Sequence, residues 1–574
     1  MVKKVKLRGD EAIAKAMKES GVDYFFYVSG GMLIPSFPAI KKTGINMILC
    51  RNEKAATNMA DGYARITKKP TVCYGQHGAA AAILASMLYE PMFAHSPVIA
   101  ITPSTRQRDK WSYQESYEMP YFDATCKFNV DVSDLSRLAE YIRTAIQVAV
   151  SGCPGPTHIN VHLNPYETVE MPEIYGDEVF FQVPPFRPRA ELERVTEAAK
   201  LLANSERPVM VCGSGVHLSG AYDEVRALAD MLTIPVVTNP NGKGCFPEDH
   251  PLYAGVVGSY GWEVSNDVVR GADLVFFVAT RAGTHVTLNQ TAPEPGVAKI
   301  IHLDIDPMAI GRNYKADVPL VGDAKVTLQE LLDVLKTMIA KPEPKGQRLQ
   351  AIAKAIKEYE RITRPLMNSD AIPIKPQRLM KEISKVLTAK DIIVSDTGQM
   401  CCWTTRFIKL KSTGLTFLPV GGTLGASFAL AMGASFGAKE GQRVLNMIGD
   451  GGMGYNLMEL ETIRRYNNQH VPFVTVVNNN SSLAMVRPIS EDVKKKPPQI
   501  FYSDFVELNY AKIAEDFGCY GVRVERPGEI VDALNDAFDS GKPAVIDVVT
   551  DIREHAPTGS NRAKRFAPLN LPVY

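Results

Sequence analysis

"VLNMIGDGGMGYNLMELETIRRYNNQHVPFVTVVNNNSS", residues 444–482, places an acid at the end of one apolar run and amides at the end of the next. VLNMI reads as a buried strand ending at Gly449, so Asp450 falls at its carboxyl end, where open α/β sheets bind ligands. Gly451 and Gly452 lack side chains and let a ligand approach the backbone. Residues 455–467 have a helical pattern with Leu457, Leu460 and Ile463 apolar, and the helix start offers free amides to an anion. The next run, FVTVVN (473–478), delivers Asn478, Asn479 and Asn480 to the same sheet edge. A carboxylate and an amide oxygen beside a phosphate site suit a hard cation. Mg2+ fits, because it takes few protein ligands and shares phosphate oxygens. The bland alternative, a glycine turn beside an asparagine-capped strand end, explains either half alone but not both at this separation.

Working outward, short apolar runs alternate with helical patterns. YFFYV (24–28), TVCYG (71–75), PVIAIT (97–102), PVMVCG (208–213), LVFFVAT (274–280), IIHLDID (300–306) and DIIVSD (391–396) are the others. This rhythm predicts an α/β protein with mostly parallel sheets flanked by helices. Two polar, proline-containing stretches, 164–193 and 341–377, read as linkers, giving three domains at about 1–165, 190–340 and 375–550 and a basic tail, 551–574. The N-terminus, MVKKVKLRGDEAIAKAMKES, lacks an apolar signal core and reads as a first amphipathic helix. No charge-free apolar run reaches about 18 residues, so no membrane span is expected. The 64 basic and 63 acidic residues nearly cancel, which argues against a nucleic-acid partner. Nine cysteines without a C-x-x-C pair fit reduced thiols in the cytoplasm.

The GDG-to-asparagine segment resembles the thiamine diphosphate (ThDP) motif. The resemblance implies Mg2+ held by Asp450, Asn480 and the carbonyl of Ser482, with Asn479 competing with Asn480. More of the chain is similar to the large subunit of acetohydroxyacid (acetolactate) synthase: SDTGQMCCW (395–403), GGTLGASFALAMGA (421–434) and NNSSLAMV (479–486). It implies an N-terminal pyrimidine-binding domain, a central nucleotide-binding-like domain and a C-terminal diphosphate-binding domain. Gly398, Gln399, Met400, Gly449, Gly451, Gly452 and Met453 would then line the cofactor. Leu424 matches the bulky residue that bends it, and a core leucine in an alanine-rich helix is the alternative.

The cofactor's thiazolium carbon is a weak acid, and its aminopyrimidine serves as internal base once a carboxylic acid engages the ring. Glu53, in RNEKAATNMADGYAR, resembles the family's activating glutamate; a solvated acid at a helix start is the alternative. Because Glu53 and Asp450 must serve one cofactor, the resemblance implies a homodimer or homotetramer with active sites between subunits. Tyr113 and Gln114 match an aromatic–glutamine pair lining the synthase site, Ser29, Gly30 and Gly31 its glycine loop, and Met485 faces the substrate. His77, in Gln76-His77-Gly78, stands where many relatives have Gly-Pro-Gly; it is a candidate proton relay or a structural histidine. Cyclohexane-1,2-dione hydrolase, another ThDP enzyme, has a histidine at a similar place.

The resemblance implies a ThDP- and Mg2+-dependent enzyme that makes or breaks a carbon–carbon bond in a 2-oxo acid or 2-hydroxy ketone. Acetolactate synthase-like carboligation is the first reading. The synthase's acceptor-selecting tryptophan aligns with Ile489, which leaves room for two others. MELETIRRYN (458–467) and Arg406 resemble the oxalyl-CoA decarboxylase and 2-hydroxyacyl-CoA lyase branch, where an arginine contacts coenzyme A phosphates; Arg406 as a surface residue is the alternative. A C–C hydrolase is the third reading. CGSGVHLSG (212–220), ATRAGTH (279–285) and HLDIDPMAIGRNYKADVPLVGDAK (302–325) are similar to a fold holding FAD or ADP in some relatives, without G-x-G-x-x-G spacing.

Overall fold

A computed structural model describes residues 4–104, 114–162, 164–338, 346–467, 471–487 and 503–557. Three six-stranded parallel sheets, each flanked by helices, follow one another along the chain. Their central strands are buried along their whole length, as in Leu274–Val278 and Val98–Pro103, which is why they read as unbroken apolar runs.

The two outer sheets share one strand order and the central sheet has another, but the order reverses at one point in each. In the C-terminal sheet the spatial order is Phe417–Pro419, Ile392–Ser395, Val444–Gly449, Phe473–Asn479, Ala544–Val549, Tyr520–Val524. The chain leaves Ile392–Ser395 in one direction and resumes at Val444–Gly449 on its other side. That reversal opens a crevice at the strands' carboxyl ends, the place where α/β sheets take ligands. The N-terminal sheet reverses between Tyr24–Tyr27 and Thr71–Tyr74, and the central sheet between Pro208–Cys212 and Leu274–Val278. The three crevices are therefore bordered by Asp396–Gly398 with Asp450–Gly452, by Val28–Gly31 with Gly75–Gly78, and by Gly213–Gly215 with Ala279–Arg281.

The outer domains meet through two small-residue helices, Glu53–Thr67 and Ala426–Gly437. A Cβ on Gly62 would stand 1.9 Å from the Leu430 carbonyl oxygen, and one on Gly433 1.9 Å from that of Met59. Backbones this close require glycine, and the contact fixes the helix that begins at Glu53 against the helix that follows Leu424.

Several expectations need correction. The N-terminal stretch is not one helix: Lys4–Arg8 is a strand, and the helix is Gly9–Glu19. That strand pairs antiparallel with Thr168–Pro172, so the first polar stretch contributes structure to the N-terminal domain before it links onward. The helical pattern at 455–467 breaks in two, Asp450–Asn456 and Glu459–Tyr466, and the first helix begins at Asp450 itself. Residues 551–557 are built into the C-terminal domain; the rest of the tail, like Tyr113 and Ile489, lies outside the described residues. Among the described residues, no helix is long and apolar enough to cross a membrane.

Candidate cofactor and active site

The C-terminal crevice collects the hard-oxygen set. The Asp450 carboxylate lies against the backbone N–H groups of Gly451, Ser482 and Asn480, and burial pushes it up to about 7 despite them. A buried acid held this way is short of positive charge, which a divalent ion would supply. Asn480 Oδ1 is buried without a hydrogen-bond partner. Asn479 is committed elsewhere: its amide nitrogen donates to the Leu508 carbonyl and to Asp547 Oδ1, both at 2.9 Å, and its Oδ1 accepts from Ser481 N–H. Ser482 is anchored by its hydroxyl, which donates to Asp504 Oδ1 at 2.7 Å. Hard donors with one orphaned buried oxygen fit Mg2+, and Asn480 rather than Asn479 is the available amide.

Neighbouring side chains pack directly onto the glycines of this crevice. A Cβ on Gly452 would meet Asp396 Oδ2 at 2.4 Å, and one on Gly451 would meet Leu483 at 2.6 Å. Gly398, at φ +75°, opens the helix Gln399–Phe407 and lies beside Met485. Leu424 is half-buried in the turn before Ala426–Gly437, so it is not a core leucine of that helix. The turn is held from two sides. Asp396 accepts the Gly425 N–H at 3.0 Å and the Ser427 N–H at 3.3 Å, and Asn456 donates to the Gly425 carbonyl at 2.9 Å. The side chains of Met400 and Met453 turn into the hydrophobic cores, so what they offer the crevice is backbone.

The N-terminal crevice gathers the other candidates. Glu53 is half-buried at the start of its helix, directly after the Asn52 cap, and its Cγ packs against Gly75. Gln76 lies across Gly31, so that a Cβ there would fall on its amide. His77 is 7% exposed, with Nδ1 unpartnered and its basicity lowered by burial, hence a neutral imidazole. Gly78, at φ +74°, packs on the Gln114 carbonyl and donates its N–H to Glu118, whose carboxyl burial raises to about 7. Ser29 is exposed and Gly30 half-buried at the open end. Glu53, His77 and Gln114 thus share one crevice, while Asp450, Asn480, Ser482, Gly398 and Leu424 share another.

Glu459 joins the two halves of the chain. Fully buried, it accepts the Arg51 N–H at 2.9 Å and the Asn52 amide at 3.1 Å through Oε1, and the Thr462 hydroxyl at 2.6 Å through Oε2. It therefore fixes the cap of the helix that presents Glu53. Asp396, Asn456, Glu118 and Glu459 had no assigned role in the sequence reading. Asp396 was within sight in the quoted SDTGQ stretch, whereas Glu459 acts on residues about four hundred positions away.

Arg406 is neither a surface residue nor a free phosphate ligand. Its side chain is fully buried, and it binds Glu263 of the central domain at 3.1–3.2 Å. The central crevice borders a cavity of ≈ 540 Å3 at the junction of the three domains, lined by Ser214, Asn239, Arg281, Asp304, Asp306 and Cys153 among others. Burial raises the Asp304 carboxyl to about 6, and Arg281 lies over the Phe93 ring at 5.1 Å.

Three family profiles match the chain in order. They are the N-terminal TPP binding domain of the thiamine pyrophosphate enzymes at residues 7–122, the central domain at 195–331 and the C-terminal TPP binding domain at 396–548. Full-length relatives agree. The chain is 35% identical over 566 residues to a probable acetolactate synthase large subunit of Methanocaldococcus jannaschii, covering 96% of this chain and 93% of that protein. It is 29% identical over 572 residues to an acetolactate synthase of Mycobacterium bovis (95% and 88% covered). To an acetolactate synthase large subunit of Corynebacterium glutamicum it is 28% identical over 562 residues (95% and 87% covered). The strand order shared by the two outer sheets, the three family matches in order and similarity along nearly the whole length place this chain in the thiamine pyrophosphate enzyme family, as an acetolactate synthase-like enzyme.

Proposed function

We propose that the protein is a ThDP- and Mg2+-dependent carboligase that joins two carbonyl compounds, at least one of them a 2-oxo acid. The observation that carries this is the orphaned Asn480 Oδ1 beside the buried Asp450 carboxylate at the switch point. Asp450, Asn480 and the Ser482 carbonyl would hold the ion, and the backbone at Gly398, Gly451 and Gly452 would meet the diphosphate. When bound, ThDP supplies a nucleophilic thiazolium carbon and an electron sink for the carbonyl substrate. Glu53 would present its carboxyl to the pyrimidine ring, and Leu424 would pack against the cofactor. His77, a neutral imidazole, gives or takes a proton at the substrate oxygen, and Gln114 orients the substrate. Ser29, Gly30 and Met485 complete the substrate side.

Glu53 and Asp450 act from different subunits in this reading, in a homodimer or homotetramer. Exposed apolar side chains beside both crevices support it: Ile34, Tyr117 and Tyr121 near one, Tyr455, Met458, Val486 and Val506 near the other. The junction cavity, with two carboxylates at a strand end and Arg281 opposite, suits the ribose and phosphates of FAD or ADP. A reducing, cytoplasmic setting is supported by nine free cysteines.

The CoA-thioester reading loses its main support with the Arg406–Glu263 pair. The hydrolase reading keeps one, the unpartnered His77 Nδ1, which a hydroxylated substrate would satisfy. Acetolactate formation from pyruvate with added ThDP and Mg2+ tests the proposal. Turnover with pyruvate supports it; cleavage of a 2-hydroxyacyl-CoA or of a cyclic 1,2-diketone without pyruvate turnover rejects it.

A further inference from the structure

The segment that follows the last buried strand carries a histidine to the metal edge of the C-terminal sheet. Its path is pinned at successive residues. Thr550 N–H donates to the Asn479 carbonyl at 2.8 Å and Asp551 N–H to the Ile374 carbonyl at 2.9 Å. Lys375 Nζ bridges Asp551 at 2.8 Å and Glu554 at 2.9 Å. Held this way, His555 is 7% exposed, and its Nδ1 stands 3.2 Å from the amide nitrogen of Gln399. That Gln399 amide nitrogen also donates to the Ala484 carbonyl at 2.9 Å, between Ser482 and Met485.

An amide nitrogen has two hydrogens, so both contacts are made at once, and the imidazole carries its proton on Nε2. Gln399 Oε1 is buried without a partner, so these two contacts alone set the amide's orientation. One side chain thereby ties the first turn of the helix after Gly398 to the loop bearing Asn480 and Ser482.

We propose that His555 is a positioning residue for the ThDP–Mg2+ pocket: it accepts the second amide hydrogen of Gln399 and locks the side chain that holds the 480–485 loop against Gly398. Without that acceptor the amide has a buried donor to spare, and turning it over would set Oε1 against the Ala484 carbonyl. The loop then loses its fixed distance from the helix start. The inference rests on ThDP and Mg2+ occupying this crevice.

The test is calorimetric titration of ThDP into the full-length protein in excess Mg2+. His555→Ala is expected to weaken binding about tenfold, in line with other side chains that orient ligand-holding residues. His555→Asn, which keeps an acceptor, restores binding to within about threefold of the unaltered protein. Adding His555→Ala to Gln399→Ala costs nothing further, because both act through one contact. Binding by His555→Ala within about twofold of the parent, an additive double variant, or no recovery in His555→Asn would each overturn the assignment. If His555→Ala does not fold, His555→Leu, which fills the site without an acceptor, takes its place. A parent protein that binds no ThDP refutes the cofactor reading itself, a separate outcome from a parent that binds and a variant that does not differ.

Discussion

At the residue scale, two neighbouring asparagines have separate jobs. Asn479 spends its amide on Asp547 and Leu508 and so belongs to the sheet, whereas Asn480 keeps a buried oxygen without a hydrogen-bond partner, the atom assigned to the proposed cation. Asn480→Ala is therefore expected to abolish Mg2+-dependent ThDP uptake, measured by calorimetry, with the melting temperature of the cofactor-free protein nearly unchanged. Asn479→Ala should instead cost about 1–3 kcal/mol of stability, because it strands buried polar partners. Equal loss of metal-dependent uptake in both, with equal stability, would refute the assignment. The resemblance favoured Asn480 but left Asn479 as a competitor, since three consecutive asparagines carry no mark of which one the strand's neighbours consume. The spacing from Asp450 to the asparagines was legible because a strand, a helix and the next parallel strand fix it. His555 was not, because its role depends on Lys375 and Ile374 pulling the post-strand segment back onto the domain.

At the element scale, the helix Glu53–Thr67 is positioned by its cap and its body. Its body is fixed by the glycine contacts with Ala426–Gly437, and its cap by Glu459. Glu459→Ala leaves the Arg51 N–H, the Asn52 amide and the Thr462 hydroxyl without an acceptor, a loss of about 2–4 kcal/mol. Unfolding followed by hydrogen exchange should show it first in residues 49–57 and 459–466. Protection unchanged in those segments would show that Glu459 does not hold the cap. Element types in the strands were readable from apolar runs, and so was the need for crevices at their carboxyl ends. The Lys4–Arg8 strand was missed because its partner, Thr168–Pro172, lies in a stretch whose prolines and acids resemble a linker. The break in the helix after Asn456 was missed because Leu457, Leu460 and Ile463 keep helical spacing across it.

At the scale of the whole molecule, several buried carboxyls titrate together. Burial raises Asp304 to about 6 and Glu118, Asp396 and Asp450 to about 7. An acid whose folded value lies above its unfolded one holds its proton more tightly when folded. These four groups therefore contribute stability that falls as pH rises from about 4 to 7, opposed over the same range by buried histidines such as His95 and His217, held down to about 4. Thermal melts of the parent beside Glu118→Gln isolate one of them: the parent's stability relative to the variant should fall from about pH 4 to 7, and a relative stability that rises would contradict the Glu118 environment. On the proposed shared site a second copy would cover the exposed apolar side chains beside both crevices, so light scattering should give at least a dimer; an active monomer would contradict shared sites. The most direct test of the central claim, that Glu53 activates a cofactor gripped through Asp450 and Asn480, is the exchange rate of the C2 proton of bound ThDP in deuterated water. With Glu53→Gln the cofactor should still bind with Mg2+, while exchange slows by at least about a hundredfold. Unchanged exchange in a Glu53→Gln protein that has bound ThDP would contradict it.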